Sequence, residues 1–195
     1  MGRDAGFLTA ASALARVRRD DGPHLIYLPE RPFSLDGFVA DVQAAMKEFG
    51  RCVVAVSEGI RDESGASIGA QFAGGEEDSH GNGELSGAGA LGDYLAKCLK
   101  QHAGGARVRA DTFGYLQRSF PGIASQTDRK EARAVGAAAV RAALAGRLAK
   151  GTIAIVRKPG KMYAVAFEPQ PIANAAKYTR SVPDAFIAAN GHDVT

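Results

Sequence analysis

Tryptophan is absent from this sequence of 195 residues, and cysteine occurs only twice. Cys52 and Cys98 each sit in apolar, periodic surroundings. The pair therefore reads as two buried thiols of a reducing, cytoplasmic compartment rather than as a disulfide framework. Histidine occurs four times and is scattered, so a metal site of cysteines and histidines is unsupported. Charge of one sign is also missing: 24 Lys and Arg stand against 21 Asp and Glu, a formal +3. The densest basic stretch is Arg16 to Arg19, which argues against a nucleic-acid partner. No apolar run approaches the length of a membrane span, which argues against a membrane partner. An anionic partner must then be bound locally, by a few placed residues.

What the sequence does have is an ordinary globular apolar fraction, 46%, arranged in clear periods. The opening AGFLTAASALA has the length of a secretory apolar region, but Asp4 stands where a signal would be positive. Phe7, Leu8, Ala11, Leu14 and Ala15 recur at helical spacing, which predicts an amphipathic helix from about Asp4 to Arg18. HLIYLPE, SLDGFVADVQAAMKEFG and RCVVAVSEG then read as strand, helix and strand, a βαβ unit of a buried parallel sheet with a right-handed crossover. The residues from 62 to 92 are glycine-rich and polar and predict a long loop. ALGDYLAKCLKQHAGG resumes helix, with Leu91, Tyr94, Leu95, Cys98 and Leu99 on one side. ARVRADTFGYLQRSFPG reads as a third strand entering a turn, and SQTDRKEARAVGAAAVRAALAG as a helix whose buried face is alanine and valine. GTIAIVRKPGKMYAVAFEP, residues 151–169, is the clearest hairpin, turning at Pro159 and Gly160. A short helix is expected to begin near Pro183. No internal repeat and no second domain is evident.

In parallel sheets ligands collect beyond the carboxyl ends of the strands, which singles out Pro29 with Glu30, and Ser57, Glu58 and Gly59. Four polar clusters fall at expected strand ends or helix starts: Gly2 with Arg3, Glu30, Arg107 with Arg109, and Tyr115 through Arg118. Free N–H groups at a helix start with an arginine beside them suit a phosphate. A carboxylate after a strand suits sugar hydroxyls. Together they suggest an anionic, hydroxylated small molecule. The blander reading of each, a solvated arginine or an ordinary strand exit, stays open, because position in a fold locates a site without naming its substrate.

Taken in order, MGRDAG opening a helix, HLIYLPERPF, GRCVVAVSEG, ELSGAGALGDYLAK and RADTFGYLQRSFPG resemble the 6-phosphofructokinase family, nearest to its pyrophosphate-dependent members. The resemblance implies an α/β fold, a parallel-sheet three-layer substrate domain with an antiparallel hairpin. Residues 1–195 would form one fructose 6-phosphate-binding domain, including the glycine-rich loop 62–92 and the hairpin 151–169. It implies a substrate site of Met1, Gly2, Arg3, Glu30, Arg109, Tyr115, Leu116, Gln117 and Arg118. Arg3 would also serve the transferring group, and Arg109 would reach the site of a neighbouring subunit in a homodimer or homotetramer. Tyr115 stands where many ATP-dependent members carry histidine, which fits the pyrophosphate type.

The family's donor site uses a Gly-Gly-Asp loop, and its chemistry uses an aspartate in a Thr-Ile-Asp-Asn-Asp motif. Neither occurs in these residues, so the resemblance implies a chain cut at both ends and inactive alone. Pyrophosphate or ATP, and the Mg2+ that bridges it, would be held by the missing half. An ATP-dependent enzyme, or a non-catalytic sugar-phosphate-binding or dimerisation module, is the alternative. Without its other half the chain should expose apolar residues on its first helix and around Phe186 and Ile187.

Overall fold

The computed structural model describes residues 4–69, 89–102, 105–114, 120, 122–148, 151–176 and 179–195. The chain divides into two compact units, one of residues 1–114 with 179–195 and one of residues 115–178.

In the first unit, α1 (Phe7–Ala11) tightens into a 3-10 turn over Ser12–Ala15. The helix expected over residues 4–18 is therefore shorter at both ends. The Ser12 hydroxyl donates to the Thr9 carbonyl. Beyond the turn, Asp21 Oδ2 accepts from the N–H groups of Val17 and Arg18. Such side-chain bonds to the backbone compete with helix propagation, and apolar periodicity does not reveal them.

The βαβ unit is present as expected. β1 (Leu25–Tyr27) runs parallel to β2 (Val54–Val56), with Leu25 opposite Val54 and Tyr27 opposite Val56. Between them lies α2 (Leu35–Phe49). Its start is capped by Ser34, whose Oγ accepts from the Gly37 N–H, and its end by Gly50 in the left-handed region at φ 68°. Glycine adopts that conformation without a Cβ penalty. α3 (Ala90–His102) follows and buries Leu91, Leu95 and Ala96, so residues 90–92 of the expected loop are already helical.

The alternation along β1 builds the layers. Leu25 and Tyr27 join a core with Phe33, Phe38, Ile60, Leu91 and Leu95. Ile26 and Leu28 join a second core with Val182 and Ile187, against which Ala10, Ala13, Ala55 and Val194 pack. A strand covered on both faces is the arrangement that fully apolar strands require. The cover on the second face comes from residues 179–195. The Ile26 N–H donates to the His192 carbonyl at 2.8 Å, Ile187 bridges Val194, and Arg16 pairs with Asp193 at 2.8 Å. The short helix expected from Pro183 is a single 3-10 turn, Asp184–Phe186.

Several expectations need correction. Residues 106–113 form no strand and are exposed except for half-buried Val108. The alternate positions there are Ala106, Val108, Ala110 and Thr112, too small to bury a sheet face. Phe186 is 57% exposed, but Ile187 is only 6% exposed because it packs on Ile26 and Leu28. On the first helix, Phe7 and Leu8 are exposed as anticipated. Cys52 and Cys98 are free thiols but half-buried rather than buried.

The second unit contains α4 (Gln126–Leu144), with Ser125 as its cap, and the hairpin of β3 (Gly151–Arg157) and β4 (Val165–Pro171). The strands pair antiparallel from Gly151 opposite Pro171 to Arg157 opposite Val165, around the expected turn. A short α5 (Ile172–Ala176), not anticipated, ends this stretch. α4 buries Ala142 alone, and its Val140 and Leu144 are exposed. The face it turns inward is the alanine and valine face expected of it: Ala134, Val135, Ala138 and Ala139 are half-buried along the same side as Ala142.

Candidate functional site

The carboxyl ends of β1 and β2 lie side by side, because the parallel ladder continues one step further: the Ser57 N–H donates to the Tyr27 carbonyl at 3.0 Å. The chain then curls, with the Ile60 N–H meeting the Ser57 carbonyl at 3.4 Å and the Ser57 hydroxyl accepting from the Gly59 N–H. Ser57, Gly59 and Ile60 are buried by this curl while Glu58 stays half-buried. The Glu58 carboxylate takes no hydrogen bond or ion pair among the described residues. A half-buried carboxylate with open lone pairs at a strand end is an acceptor available to a ligand's hydroxyl groups.

Glu30, at the end of the neighbouring strand, is employed differently. Its Oε1 accepts from the Gly6 N–H at 2.9 Å and from the Val182 N–H at 2.8 Å. Its Oε2 is buried without a partner among the described residues. A Cβ at position 6 would stand 2.8 Å from Glu30 Oε2 and 2.8 Å from Leu28 Cδ2. Only glycine lets the backbone come this close. Two ion pairs flank the contact: Arg31 with Asp184 at 2.9 Å and Arg61 with Asp4 at 2.8 Å.

Beneath the strand ends, the Tyr27 hydroxyl donates to Asp41 Oδ2 at 2.7 Å, and His192 Nδ1 lies 3.0 Å from the same oxygen. Burial, with the Asp41 carboxylate second, pushes the Tyr27 hydroxyl well above the usual phenol range. It remains a neutral donor throughout the working pH range.

The remaining sequence-derived residues are distributed as follows. Arg109 and Arg107 lie on the exposed irregular stretch, which runs along the start of α3: a Cβ at Gly92 would meet the Ala110 Cβ at 3.2 Å. Met1, Gly2, Arg3, Tyr115, Leu116, Gln117 and Arg118 lie outside the described residues. Gly6 and Val182, which hold Glu30, were missed by sequence reasoning. The glycine of MGRDAG was a visible signal for the first, whereas nothing local marks Val182. Among the described residues no group of three or more His, Cys, Asp or Glu side chains could hold a metal ion. No helix among them is long and apolar enough to cross a membrane.

The glycine-tight start of α1, the parallel strand ends and the hairpin belong together in one known class. Residues 1–143 match the phosphofructokinase family, and the chain belongs to that family. Over its whole length it is 54% identical to the pyrophosphate–fructose 6-phosphate 1-phosphotransferase of Rhodospirillum rubrum, covering 48% of that protein. It is 39% identical to the protein of the same name from Xanthomonas campestris pv. campestris, covering 45% of it. The crystal structure of pyrophosphate-dependent phosphofructokinase from Marinobacter aquaeolei matches the whole chain with a TM-score of 0.76 at 32% identity, and 43% of that protein is covered. The chain thus spans about half the length of the curated relatives it matches.

Proposed function

We propose that the chain is the fructose 6-phosphate-binding domain of a pyrophosphate-dependent phosphofructokinase, an enzyme that moves a phosphoryl group from pyrophosphate to the 1-hydroxyl of the sugar. The observation that carries this reading is the Glu58 carboxylate, half-buried and unpaired among the described residues, at the end of the strand paired with the one that leads to Glu30, in a chain whose relatives bear that enzyme's name.

Glu58 accepts sugar hydroxyls, and Tyr115 is assigned to the sugar by the family resemblance. Glu30, assigned by resemblance to the sugar, also holds the backbone that frames the site through its Oε1. Arg3 and Arg118 are assigned as cations for the 6-phosphate and the transferring group, a role for which the forked N–H donors of a guanidinium suit phosphate oxygens. Arg109, exposed and unpaired among the described residues, serves the site of a neighbouring subunit in a cytoplasmic homodimer or homotetramer. Phosphoryl transfer depends on positioning and charge stabilisation, and these residues position the acceptor. Among the described residues no group of three or more His, Cys, Asp or Glu side chains is placed to hold magnesium, and no step assigned to them runs through it. The donor-binding loop and the proton-accepting aspartate are not among these residues, so the domain alone binds without turnover.

Calorimetry tests the reading. Fructose 6-phosphate should release heat on binding to the chain, and fructose should not. Glu58→Gln should weaken binding on the order of tenfold to a hundredfold, the loss of a hydrogen bond to a charged acceptor. Equal affinity for wild type and Glu58→Gln, or equal affinity for fructose, would sink the assignment.

A further inference from the structure

We infer that Asp41 is a positioning residue for the sugar site: through one carboxylate oxygen it fixes the Tyr27 side chain and gathers His192 of the segment 179–195, and the Tyr27 carbonyl in turn sets the strand end that presents Glu58. The inference rests on the proposed function only where the ligand enters.

Three observations carry it. First, Asp41 Oδ2, on α2, meets two groups from segments remote in sequence, the Tyr27 hydroxyl at 2.7 Å and His192 Nδ1 at 3.0 Å. A neutral imidazole with its proton on Nδ1 donates here as a charged one does, so the contact does not require a charged ring. Second, the contact is sheltered: the His192 and Asp41 side chains are 24% and 28% exposed, and Tyr27 is 8% exposed. Removing the acceptor of a buried hydroxyl leaves that hydroxyl uncompensated, which costs more than losing a solvated pair. Third, Tyr27 is the last residue of β1, and its carbonyl accepts from the Ser57 N–H at 3.0 Å. That bond is the ladder step immediately before Glu58.

The two halves of the joint meet in Tyr27. Phe33 and Phe38 pack against its ring, each with centroids 5.4 Å away, but apolar packing has no direction and the hydroxyl bond to Asp41 does. A ring fixed at its tip restrains the backbone that carries it, and with it the carbonyl facing Ser57. His192 adds the remote segment. Its carbonyl accepts from the Ile26 N–H at 2.8 Å, while its ring, 6.1 Å from that of Tyr27, reaches across to Asp41. One carboxylate thus ties α2 and the segment 179–195 to the strand end beside Glu58.

Residue-resolved amide exchange on the ligand-free chain tests the joint directly. Three amides report on it: Ser57, bonded to the Tyr27 carbonyl; Ile26, bonded to the His192 carbonyl; and His24, bonded to the Val53 carbonyl at the opposite end of the same strand pair. Asp41→Ala should speed Ser57 and Ile26 by on the order of tenfold and leave His24 unchanged. A general loss of stability would instead speed all three together. Tyr27→Phe keeps the ring and removes the hydroxyl, so it should speed Ser57 as much while Ile26 stays slow, and it carries the test if Asp41→Ala does not fold. Asp41→Asn retains an acceptor oxygen for the Tyr27 hydroxyl and should keep Ser57 slow. Unchanged exchange at Ser57 in Tyr27→Phe, equal acceleration at His24, or fast exchange at Ser57 in Asp41→Asn overturns the inference.

The ligand arm uses calorimetry with fructose 6-phosphate. Asp41→Ala should weaken binding by on the order of tenfold in the wild type and have little further effect in Glu58→Gln, because it acts by holding Glu58 in place. Additive losses would overturn the coupling to the sugar. If the wild type itself gives no heat, the proposed function fails, and the exchange experiment alone decides the joint.

Discussion

Replacing Phe38 by alanine should remove the support beneath both strand ends. Phe38 is 2% exposed, and its ring lies 5.4 Å from that of Tyr27 and 5.5 Å from that of Phe33, with Tyr27 and Phe33 themselves 5.4 Å apart. The three rings close a triangle between β1 and α2. Truncation deletes two of its three contacts and leaves a cavity that rigid neighbours fill only partly, at about 3–5 kcal/mol. Phe38→Leu preserves most of the volume and should cost about 1–1.5 kcal/mol. Against a typical domain stability of about 5–15 kcal/mol, the alanine variant sits near the edge of folding. The assay is urea unfolding followed by far-UV circular dichroism, because the chain has no tryptophan to report. The midpoint should fall with an unchanged slope. Phe38 belongs to the unit of residues 1–114 and 179–195, so if two transitions are resolved, only one should move. A loss below about 1 kcal/mol for Phe38→Ala, or equal losses for alanine and leucine, would refute the triangle as the support of the strand ends.

The caps of α2 make a second target. Ser34→Ala should cost about 1 kcal/mol by leaving the Gly37 N–H without its acceptor, and Gly50→Ala about as much by forcing a Cβ at φ 68°. A combined loss well under 1 kcal/mol in the same urea assay would contradict both. Cys52 supplies a pH prediction. Burial pushes its thiol from an ordinary 9.0 up to about 11, so iodoacetamide at pH 8 should modify it far more slowly than free cysteine. Because the fold favours the neutral thiol, its contribution is intact below about pH 9 and is lost as pH rises through about 11. Cys52→Ala should flatten that alkaline decline. Reaction at the rate of free cysteine would disprove the burial argument.

The parts of the fold that were legible are those whose cause is local. Ser34 and Gly50 bracket a 3.6-residue period, and LIY and VAV are short apolar runs, so the βαβ unit could be read directly. Pro159 and Gly160 between alternating strands marked the hairpin equally well. The misreadings share another cause. α1 stops where Ser12 and Asp21 divert the backbone, and ARVRADTF fails as a strand because its alternate residues are small. Ile187 is buried only because a distant segment returns to Ile26 and Leu28. The same holds at the site. Glu30 was found by its place after a strand, but its work is fixed by N–H groups at Gly6 and Val182, which no local pattern connects. Glu58 stood at the other strand end, and only the packing distinguishes its carboxylate, unpaired among the described residues, from the engaged one.

The hydrogen bond from the Ile26 N–H to the His192 carbonyl has a consequence for synthesis. The edge of the first strand is completed by residues made near the end of this sequence. At elongation speeds of about 5–20 residues per second the ribosome needs on the order of 10–30 s to travel from one to the other. Throughout that interval Ile26 and Leu28 have a sheet face but no cover from Val182 and Ile187. The first unit must therefore mature after translation of its own interruption, residues 115–178, and a nascent chain halted before residue 182 presents an apolar strand that trigger-type chaperones would be suited to shield.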